Sequence, residues 1–199
     1  MSGENILNRE YVFVKELVGY FKAANAYVLT DEAGNQIGEV KEDVPGFFRK
    51  MMKFTDYKTM MPFKVHFYDE NAQVYMTLWR KFSFFRSNVF LDDADGRTLG
   101  QFKQKIFTLK PKFWLLNMEG QEIGQVQGNW SGWDFKMVDA QEQPLGQVTK
   151  KWAGLGKELF TSADNYVITR EPSVRDADMR KLALAAGICI DMVLKEKGR

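Results

Sequence analysis

Five stretches of the chain share one order of apolar and polar positions. Each has an apolar run, an Asp or Asn, a short turn, an Ile/Leu-Gly pair and a renewed apolar residue, except that the second copy has Tyr75-Met76 in place of the pair. The copies are YVLTDEAGNQIGEV (27–40), VHFYDENAQVYMTL (65–78), NVFLDDADGRTLGQF (88–102), FWLLNMEGQEIGQV (113–126) and FKMVDAQEQPLGQV (135–148). Apolar runs rich in β-branched and aromatic residues around such turns are typical of β-hairpins. The pattern predicts five consecutive hairpins.

Glycines recur at two places in this pattern. Three stand in the predicted turns, where glycine supplies the positive φ that hairpin turns require: Gly34, Gly96 and Gly120. Four others fall inside the returning strands: Gly38, Gly100, Gly124 and Gly146. Glycine within a strand indicates a bulge, a bend or the close approach of another element. The second set therefore predicts a curved sheet.

Further strands extend this meander. An opening strand is predicted near EYVFVKEL, and final strands are predicted around QVTKKWAG and DNYVITR. Open antiparallel sheets of about a dozen strands tend to curl or close. A closed barrel of that circumference leaves a lumen wider than side chains alone can fill.

The run LALAAGICIDMVL, residues 182–194, has no polar side chain in its first nine positions. A helix that is apolar all round must be covered all round. The run is shorter than the roughly 20 residues needed to span a bilayer. Upstream, Pro172 ends the preceding strand, and Asp176 or Asp178 can cap the helix. We therefore predict a helix over about 176–195.

The lumen of the barrel is the place that covers such a helix on every side. The predicted fold is mainly β: a closed antiparallel β-barrel of about twelve strands that encloses the hydrophobic C-terminal α-helix, as a single domain over residues 1–199. Two alternatives remain. The helix could insert into a membrane, or it could pack outside a β-sandwich, which would leave one of its faces uncovered.

Composition places the chain among globular proteins, with 45% hydrophobic and 27% charged residues. The net charge of +2 provides no general attraction to nucleic acid, so we expect no nucleic-acid partner. The single cysteine, Cys189, cannot form an intrachain disulfide and is compatible with a reducing compartment. The first residues show no secretory signal. We expect a cytoplasmic protein.

The residues that usually carry enzymatic chemistry are sparse. The single histidine, His66, lies in the strand-like KVHFY, far from the single cysteine, so neither a zinc cluster nor a catalytic triad is indicated. The glycines follow the hairpin repeat and match no phosphate-binding fingerprint. We expect a protein that is not an enzyme and requires no cofactor.

The segment PGFFRKMMKF, residues 45–54, has the pattern of a basic amphipathic helix. Its apolar residues share one arc and its basic residues lie opposite. Such a helix is typical of segments that lie in a membrane interface. The alternative is a helix packed on the mouth of the barrel with its basic side in water. The candidate lipid-binding residues are Phe47, Phe48, Arg49, Lys50, Met51 and Lys53.

A second basic and aromatic segment is LWRKFSFFR, residues 78–86. Aromatic side chains interleave there with basic ones: Trp79, Phe82, Phe84 and Phe85 with Arg80, Lys81 and Arg86. The combination suits anionic headgroups at a membrane surface. Two alternatives are a strand that buries one face and a single-stranded nucleic-acid surface. The candidate lipid-binding residues here are Trp79, Arg80, Lys81, Phe84, Phe85 and Arg86.

The C-terminal quarter, GQVTKKWAGLGKELFTSADNYVI followed by the apolar helix, resembles the phospholipid scramblase family. The residues that carry the resemblance are Lys150, Trp152, Gly154, Leu155, Glu158, Phe160, Thr161, Ala163, Asp164 and Asn165. The resemblance implies the tubby-like fold, shared with plant LURP-one-related proteins, in which a twelve-stranded barrel surrounds a C-terminal helix. The proline-rich N-terminal segment and the cysteine clusters of animal members are not found in this sequence.

The resemblance also implies a membrane-associated function, linked to Ca²⁺-dependent, energy-independent movement of phospholipids between leaflets. The segment SADNYVITREPS corresponds to the family's proposed Ca²⁺ segment, and an EF-hand-type loop would need oxygen ligands at alternating positions. Asp164 supplies the one carboxylate at those positions. Asp164 and Asn165 are therefore weak candidates for Ca²⁺ ligands, and the alternative is that they are turn residues at the start of a strand.

We therefore expect a scramblase-like, phospholipid-binding barrel, peripheral at the inner face of the membrane, that engages anionic headgroups through residues 45–54 and 79–86. Transbilayer movement of phospholipid would be a further step of this function. The alternative is a soluble interaction or regulatory module in which the basic and apolar helix docks a protein partner.

Overall fold

The structure, a computed structural model, describes residues 4–17, 24–43, 62–82, 88–104, 112–129, 132–151 and 165–195 of the 199-residue chain. Within these ranges, twelve antiparallel strands form one closed barrel. The strands are β1 (Tyr11–Glu16), β2 (Ala26–Thr30), β3 (Gln36–Glu42), β4 (Phe63–Asp69), β5 (Val74–Arg80), β6 (Asn88–Asp93), β7 (Thr98–Gln104), β8 (Lys112–Leu116), β9 (Glu122–Asn129), β10 (Asp134–Asp139), β11 (Pro144–Thr149) and β12 (Asn165–Arg170). The described helices are α1 (Glu4–Leu7) and α2 (Ala177–Lys195). The predicted fold class is confirmed, and the single domain over 1–199 stays a prediction.

Each predicted hairpin is confirmed, as the pairs β2–β3, β4–β5, β6–β7, β8–β9 and β10–β11. The opening strand β1 closes the barrel between β12 and β2. One detail of the prediction is wrong: residues 147–149 of QVTKKWAG form the end of β11 and not a separate strand, because the return strand of the last hairpin continues through them. Residues 152–154 of that stretch lie outside the described part of the chain.

An acidic or amide side chain organises each described hairpin turn. The Asp31 Oδ1 atom accepts hydrogen bonds from the backbone N–H groups of Ala33 at 3.0 Å and Asn35 at 2.9 Å. Asp69, Asp93 and Asp139 accept the equivalent pair of bonds, and the Asn117 Oδ1 atom accepts one, from the Gln121 N–H. Because Asp and Asn side chains stabilise turns by bonding to the backbone a few residues on, the repeated Asp/Asn holds the turn that sets each register.

One position of each turn lies in the left-handed region. It is glycine in three turns, as predicted, with φ of 83° at Gly34, 82° at Gly96 and 80° at Gly120. In the other two described turns it is Ala72 with φ of 57° and Glu142 with φ of 61°. A side chain at such a φ costs on the order of 1 kcal/mol.

A bulge lies beside the second glycine of the repeat. Leu29 is opposite Gly38 but Thr30 is opposite Gln36, so Ile37 is the extra residue, and both Ile37 and Gly38 are buried. A Cβ on Gly38 would lie 2.7 Å from the Tyr68 carbonyl oxygen. The predicted close approach is therefore confirmed. The bulge residues of the described hairpins are Ile37, Tyr75, Leu99, Ile123 and Leu145.

Helix α2 occupies the lumen. Every residue from 182 to 190 is buried, which confirms the enclosed helix and excludes the sandwich. The Asp176 Oδ1 atom accepts the Met179 N–H at 2.8 Å and caps the helix. A Cβ on Gly187 would lie 2.4 Å from Ile168 Cδ1, so this glycine allows α2 to approach β12. Neither described helix combines the length and apolar character that a membrane span requires.

The barrel has two different ends. The hairpin end carries the turns at 31–35, 69–73, 93–97, 117–121 and 139–143, together with α1 and the start of α2. Arg97 in one of these turns pairs with Asp178 of α2 at 3.0 Å. The far end is the opposite end of the barrel, where each hairpin leads into the next. Because α2 starts at the hairpin end, its C-terminal half lies toward the far end.

One carboxylate of α2 is buried in the lumen. Asp191 is 1% exposed, and its Oδ2 atom accepts a hydrogen bond from the Tyr27 hydroxyl at 2.7 Å. Burial, together with the nearby Asp191, raises the pKa of Tyr27 well above its ordinary value, so this hydroxyl keeps its proton and donates. Tyr166 is also buried, but its hydroxyl has no hydrogen-bond partner within the described part of the chain.

We expect Tyr27→Phe to lower the free energy of unfolding by about 1–3 kcal/mol, because Asp191 would lose a buried donor. Tyr166→Phe is the matched control and should leave the stability unchanged or raise it, because it removes a buried hydroxyl that has no partner. Urea unfolding followed by circular dichroism measures both. Equal losses in the two variants would contradict the assigned hydrogen bond.

We expect Glu142→Gly to raise the free energy of unfolding by about 0.5–1 kcal/mol. Glycine relieves the strain of the left-handed backbone at this position, and this gain exceeds the entropic cost of ordering a glycine. The neighbouring control Gln141→Gly should bring no gain. Thermal unfolding of the two variants side by side tests the expectation, and a gain of the same size in both would refute it.

Candidate functional site

A row of outward-facing side chains crosses neighbouring strands near the far end. Lys64 of β4 lies opposite Trp79 of β5, which lies opposite Phe90 of β6. The Trp79 and Phe90 rings stack with centroids 4.6 Å apart. The Trp79 Nε1 atom donates to Asp92 Oδ2 at 2.7 Å. Stacking and hydrogen bonding together hold the indole on the outer surface.

The residues after β5 continue this surface. The Lys81 Nζ atom lies 5.5 Å from the Trp79 ring centroid, and the Phe82 side chain is 52% exposed. On the next strands, Lys103 lies opposite Trp114. We call these residues the basic-aromatic face: Lys64, Trp79, Lys81, Phe82, Phe90, Lys103 and Trp114. Phe82 is exposed and the other aromatic rings are half-buried. Aromatic rings at the surface beside lysines suit a membrane interface, where the rings enter the headgroup layer and the cations meet anionic lipid.

Arg80 differs from its neighbours because strand alternation turns it inward. It is 3% exposed, and its guanidinium carbon lies 4.7 Å from the Phe63 ring centroid. Burial raises the pKa of Glu42 above its ordinary value, while hydrogen bonds from Asn25 and the charge of Arg80 act in the opposite direction. Arg80 therefore belongs to the interior of the far end, and Trp79 and Lys81 belong to the surface.

A groove runs from the basic-aromatic face over the rim of the far end. Its volume is about 380 Å³, and it is lined by Asp43, Pro62, Phe63, Lys64, Trp79, Arg80 and Asp92. Two cations and two carboxylates line it beside an indole ring. This arrangement suits a polar group that carries both a negative and a positive charge.

Charge is distributed unevenly between the two ends. Lysines are frequent on the described strands near the far end: Lys15, Lys41, Lys64, Lys103, Lys112 and Lys136. The far end also carries Glu16, Glu42, Asp43 and Asp134, and Lys41 pairs with Glu39. The described hairpin turns carry mainly acidic residues: Asp31, Glu32, Asp69, Glu70, Asp93, Asp95, Glu119, Asp139 and Glu142. The hairpin end also carries fewer basic residues, among them Arg9, Arg97, Arg170, Arg175 and Arg180. An anionic surface would therefore attract the far end more than the hairpin end.

Several predicted lipid-binding residues lie outside the described residues: Phe47, Phe48, Arg49, Lys50, Met51, Lys53, Phe84, Phe85 and Arg86. The described residues that flank them are Asp43 and Pro62 for the first segment, and Phe82 and Asn88 for the second. All four flanking residues lie at the far end. The basic-aromatic face lies at the same end as these four flanking residues.

Of the two weak Ca²⁺ candidates, one lies outside the described residues and one lies within them. Asp164 lies outside the described residues, and Asn165 is the buried first residue of β12, paired with Lys15 of β1. In the ranges that the structure describes, no group of three or more His, Cys, Asp or Glu side chains could hold a metal ion. The Ca²⁺ assignment stays a prediction.

His66 is a strand residue, as predicted. It lies in β4, and its Nδ1 atom is 3.1 Å from the Thr77 hydroxyl oxygen. Burial, with a contribution from Lys64, lowers the pKa of His66 below its ordinary value. The ring is therefore neutral at neutral pH and adds no positive charge to the far end.

Sequence patterns missed part of the basic-aromatic face. Lys64, Phe90, Lys103 and Trp114 were not singled out, although each lies at a position that alternates with buried residues of its strand. Alternation shows that a strand has two faces but not which residues of other strands lie beside them. The register between strands supplies that information.

One residue of the recognised C-terminal motif has a visible packing role. The Lys150 Nζ atom lies 4.4 Å from the Trp133 ring centroid, and Trp133 packs against Tyr166 with centroids 5.3 Å apart. These contacts cover Tyr166 at the far end. Residues 152–164 of the motif lie outside the described residues.

Comparison with known sequences gives three related findings. The sequence model of the family described as Scramblase matches residues 4–197. Altered inheritance rate of mitochondria protein 25 of Saccharomyces cerevisiae is 27% identical over 82% of this chain and 57% of its own length. A phospholipid scramblase family protein of Schizosaccharomyces pombe is 24% identical over 96% of this chain and 55% of its own length. The chain spans little more than half the length of these relatives.

A solved structure has a similar fold. The X-ray structure of a protein from Arabidopsis thaliana superimposes with a TM-score of 0.52, covering 95% of this chain and 92% of that one at 18% identity. Identity at this level supports a shared fold and no more.

Proposed function

This chain belongs to the scramblase family, and from that membership we propose that it is a scramblase-like protein that binds anionic phospholipid at a membrane surface. The observation that carries the proposal is the basic-aromatic face. It combines an exposed Phe82, a surface indole at Trp79 and lysines on adjacent strands. We place this face against the inner leaflet from the cytoplasmic side, as a peripheral contact.

Charge and apolar burial would both contribute to such binding. A lysine close to an anionic leaflet contributes about 1 kcal/mol, so Lys64, Lys81 and Lys103 together could supply about 3 kcal/mol. Moving the exposed Phe82 ring out of water adds to this. The acidic hairpin turns would be repelled by the same surface, which favours one orientation of the barrel.

The predicted amphipathic segment would strengthen the same contact. It is flanked by Asp43 and Pro62 at the far end. In the proposed orientation Phe47, Phe48 and Met51 would enter the interface, while Arg49, Lys50 and Lys53 would meet anionic headgroups.

The proposal extends from phospholipid binding to movement of phospholipid between leaflets. The lumen is filled by α2, whose residues 182–190 are all buried, so a headgroup would have to travel outside the barrel. The groove beside Lys64, Asp43 and Asp92 offers the polar surface for this contact. We propose a role in binding and transfer, with no covalent chemistry and no required cofactor.

We expect the purified protein to co-sediment with vesicles that contain phosphatidylserine and not with vesicles of phosphatidylcholine alone. Binding should weaken steeply as salt is raised, because salt screens charge attraction. The double variant Lys64→Glu/Lys81→Glu should bind anionic vesicles at least about tenfold more weakly. Arg175→Glu, an exposed charge reversal at the hairpin end, is the control and should bind like the parent.

Each outcome of the vesicle experiment bears on the assignment. Equal binding to both kinds of vesicle, or an unchanged double variant, would contradict binding through the basic-aromatic face. No binding at all would favour the soluble interaction module. Repeating the experiment with added Ca²⁺ tests the weak candidates Asp164 and Asn165, because a Ca²⁺ requirement is the expected result if they are ligands.

Two exposed apolar residues at opposite ends give a matched pair. Phe82 is 52% exposed near the far end, and Met118 is 53% exposed in a turn of the hairpin end. We expect Phe82→Ser to weaken binding to anionic vesicles by about tenfold through loss of apolar burial, and Met118→Ser to have no effect. Equal melting temperatures would show that both variants fold. A loss of vesicle binding in the Met118 variant alone would show that the hairpin end, and not the far end, faces the membrane.

A further inference from the structure

The mouth of the barrel at the hairpin end is covered differently on its two sides. On one side α1 packs over β3: Ile6 is buried and lies close to Gly38. Arg170 and Arg180 hold the following residue Asn8, with distances of 3.0 Å to its carbonyl oxygen and 2.6 Å to its side-chain oxygen. This side of the mouth is closed by the chain itself.

The other side of the mouth has a groove of about 630 Å³. It lies between the ends of two hairpins, at 122–123 and 139–145, and the segment 173–179 that leads into α2. We call it the hairpin-end groove. In the order of strands around the barrel, β9 and β10 lie opposite β3 and β4, so this groove is across the mouth from α1.

The floor of the hairpin-end groove is apolar, and the repeat shows that part of it lacks cover. Four bulge residues of the described hairpins are buried: Ile37, Tyr75, Leu99 and Leu145. The equivalent Ile123 is partly exposed, as is Met179 of α2, and both line the groove. Ile123 therefore leaves apolar surface at a position that the other hairpins bury, and a further apolar group could cover it.

The rim of the groove is predominantly acidic. Among the described residues that line it, Glu122, Asp139 and Asp176 are acidic and Arg175 is the one basic side chain. Asp139 is held by hydrogen bonds to its own turn and Asp176 by its bond to the first turn of α2. Two of the carboxylates are thus fixed before any partner arrives, which lowers the entropic cost of binding.

We propose that the hairpin-end groove docks a short basic segment of a partner protein. One apolar side chain of the partner would cover Ile123 and Met179, and flanking Lys or Arg side chains would meet Glu122, Asp139 and Asp176. The volume matches a few side chains, since ligand pockets span about 300–1,000 Å³. The acidic rim disfavours anionic lipid. The groove and the basic-aromatic face lie at opposite ends, so a partner and a membrane could be bound together.

The test uses methyl NMR of the full chain titrated with two hexapeptides, KRLFKK and EELFEE, acetylated and amidated. We expect KRLFKK to shift the methyl signals of Ile123, Leu145 and Met179 and to bind at least about fivefold more tightly than EELFEE. Glu122→Lys should weaken KRLFKK binding by about fivefold, whereas Glu32→Lys, an exposed reversal on the α1 side, should change it by less than about twofold.

Three results would overturn the proposal: no shifts in these methyl signals, equal binding of the two peptides, or equal effects of the two charge reversals. Shifts caused by phosphatidylserine vesicles in place of the peptide would also overturn it, because the groove would then face the membrane. Vesicle binding of the Lys64→Glu/Lys81→Glu variant is measured separately, so failure of the lipid proposal and failure of the peptide proposal are distinguishable.

Discussion

The lack of a polar face on α2 is the constraint on which the rest of the structure depends. A helix that is apolar all round is stable only where protein surrounds it, and residues 182–190 are buried on every side. The closed barrel provides that cover. Gly187 brings α2 against Ile168, and the Tyr27 hydroxyl supplies a donor to Asp191 where the helix does become polar.

The repeated bulge adapts the sheet to this helix. At each bulge two successive residues of one strand oppose a single residue of its neighbour, and at Ile37 and Gly38 both are buried. The hairpin thus adds an apolar side chain to the core, and glycine avoids a clash with the adjacent backbone. The equivalent bulge residues of the other described hairpins are buried, so the partly exposed Ile123 indicates a site for an additional group.

The meander separates two kinds of surface. Tight turns built on Asp or Asn occupy the hairpin end and leave it mainly acidic, whereas many of the described lysines lie at the far end. A scramblase-family barrel with this polarity could meet an anionic membrane with one end and a basic partner with the other. Both proposed surfaces lie outside the lumen, which α2 fills.

The sequence by itself determined the hairpins, the turn glycines and the enclosed helix, because alternation, turn chemistry and apolar periodicity operate within about 15 residues. It also singled out Trp79 and Lys81 for the candidate site. Only the tertiary structure decided that Arg80 faces inward and that Lys64, Trp79 and Phe90 form one row. The physical reason is that barrel closure and strand register bring together residues far apart in the chain, such as Tyr27 and Asp191. Local sequence patterns do not indicate which distant residues become neighbours.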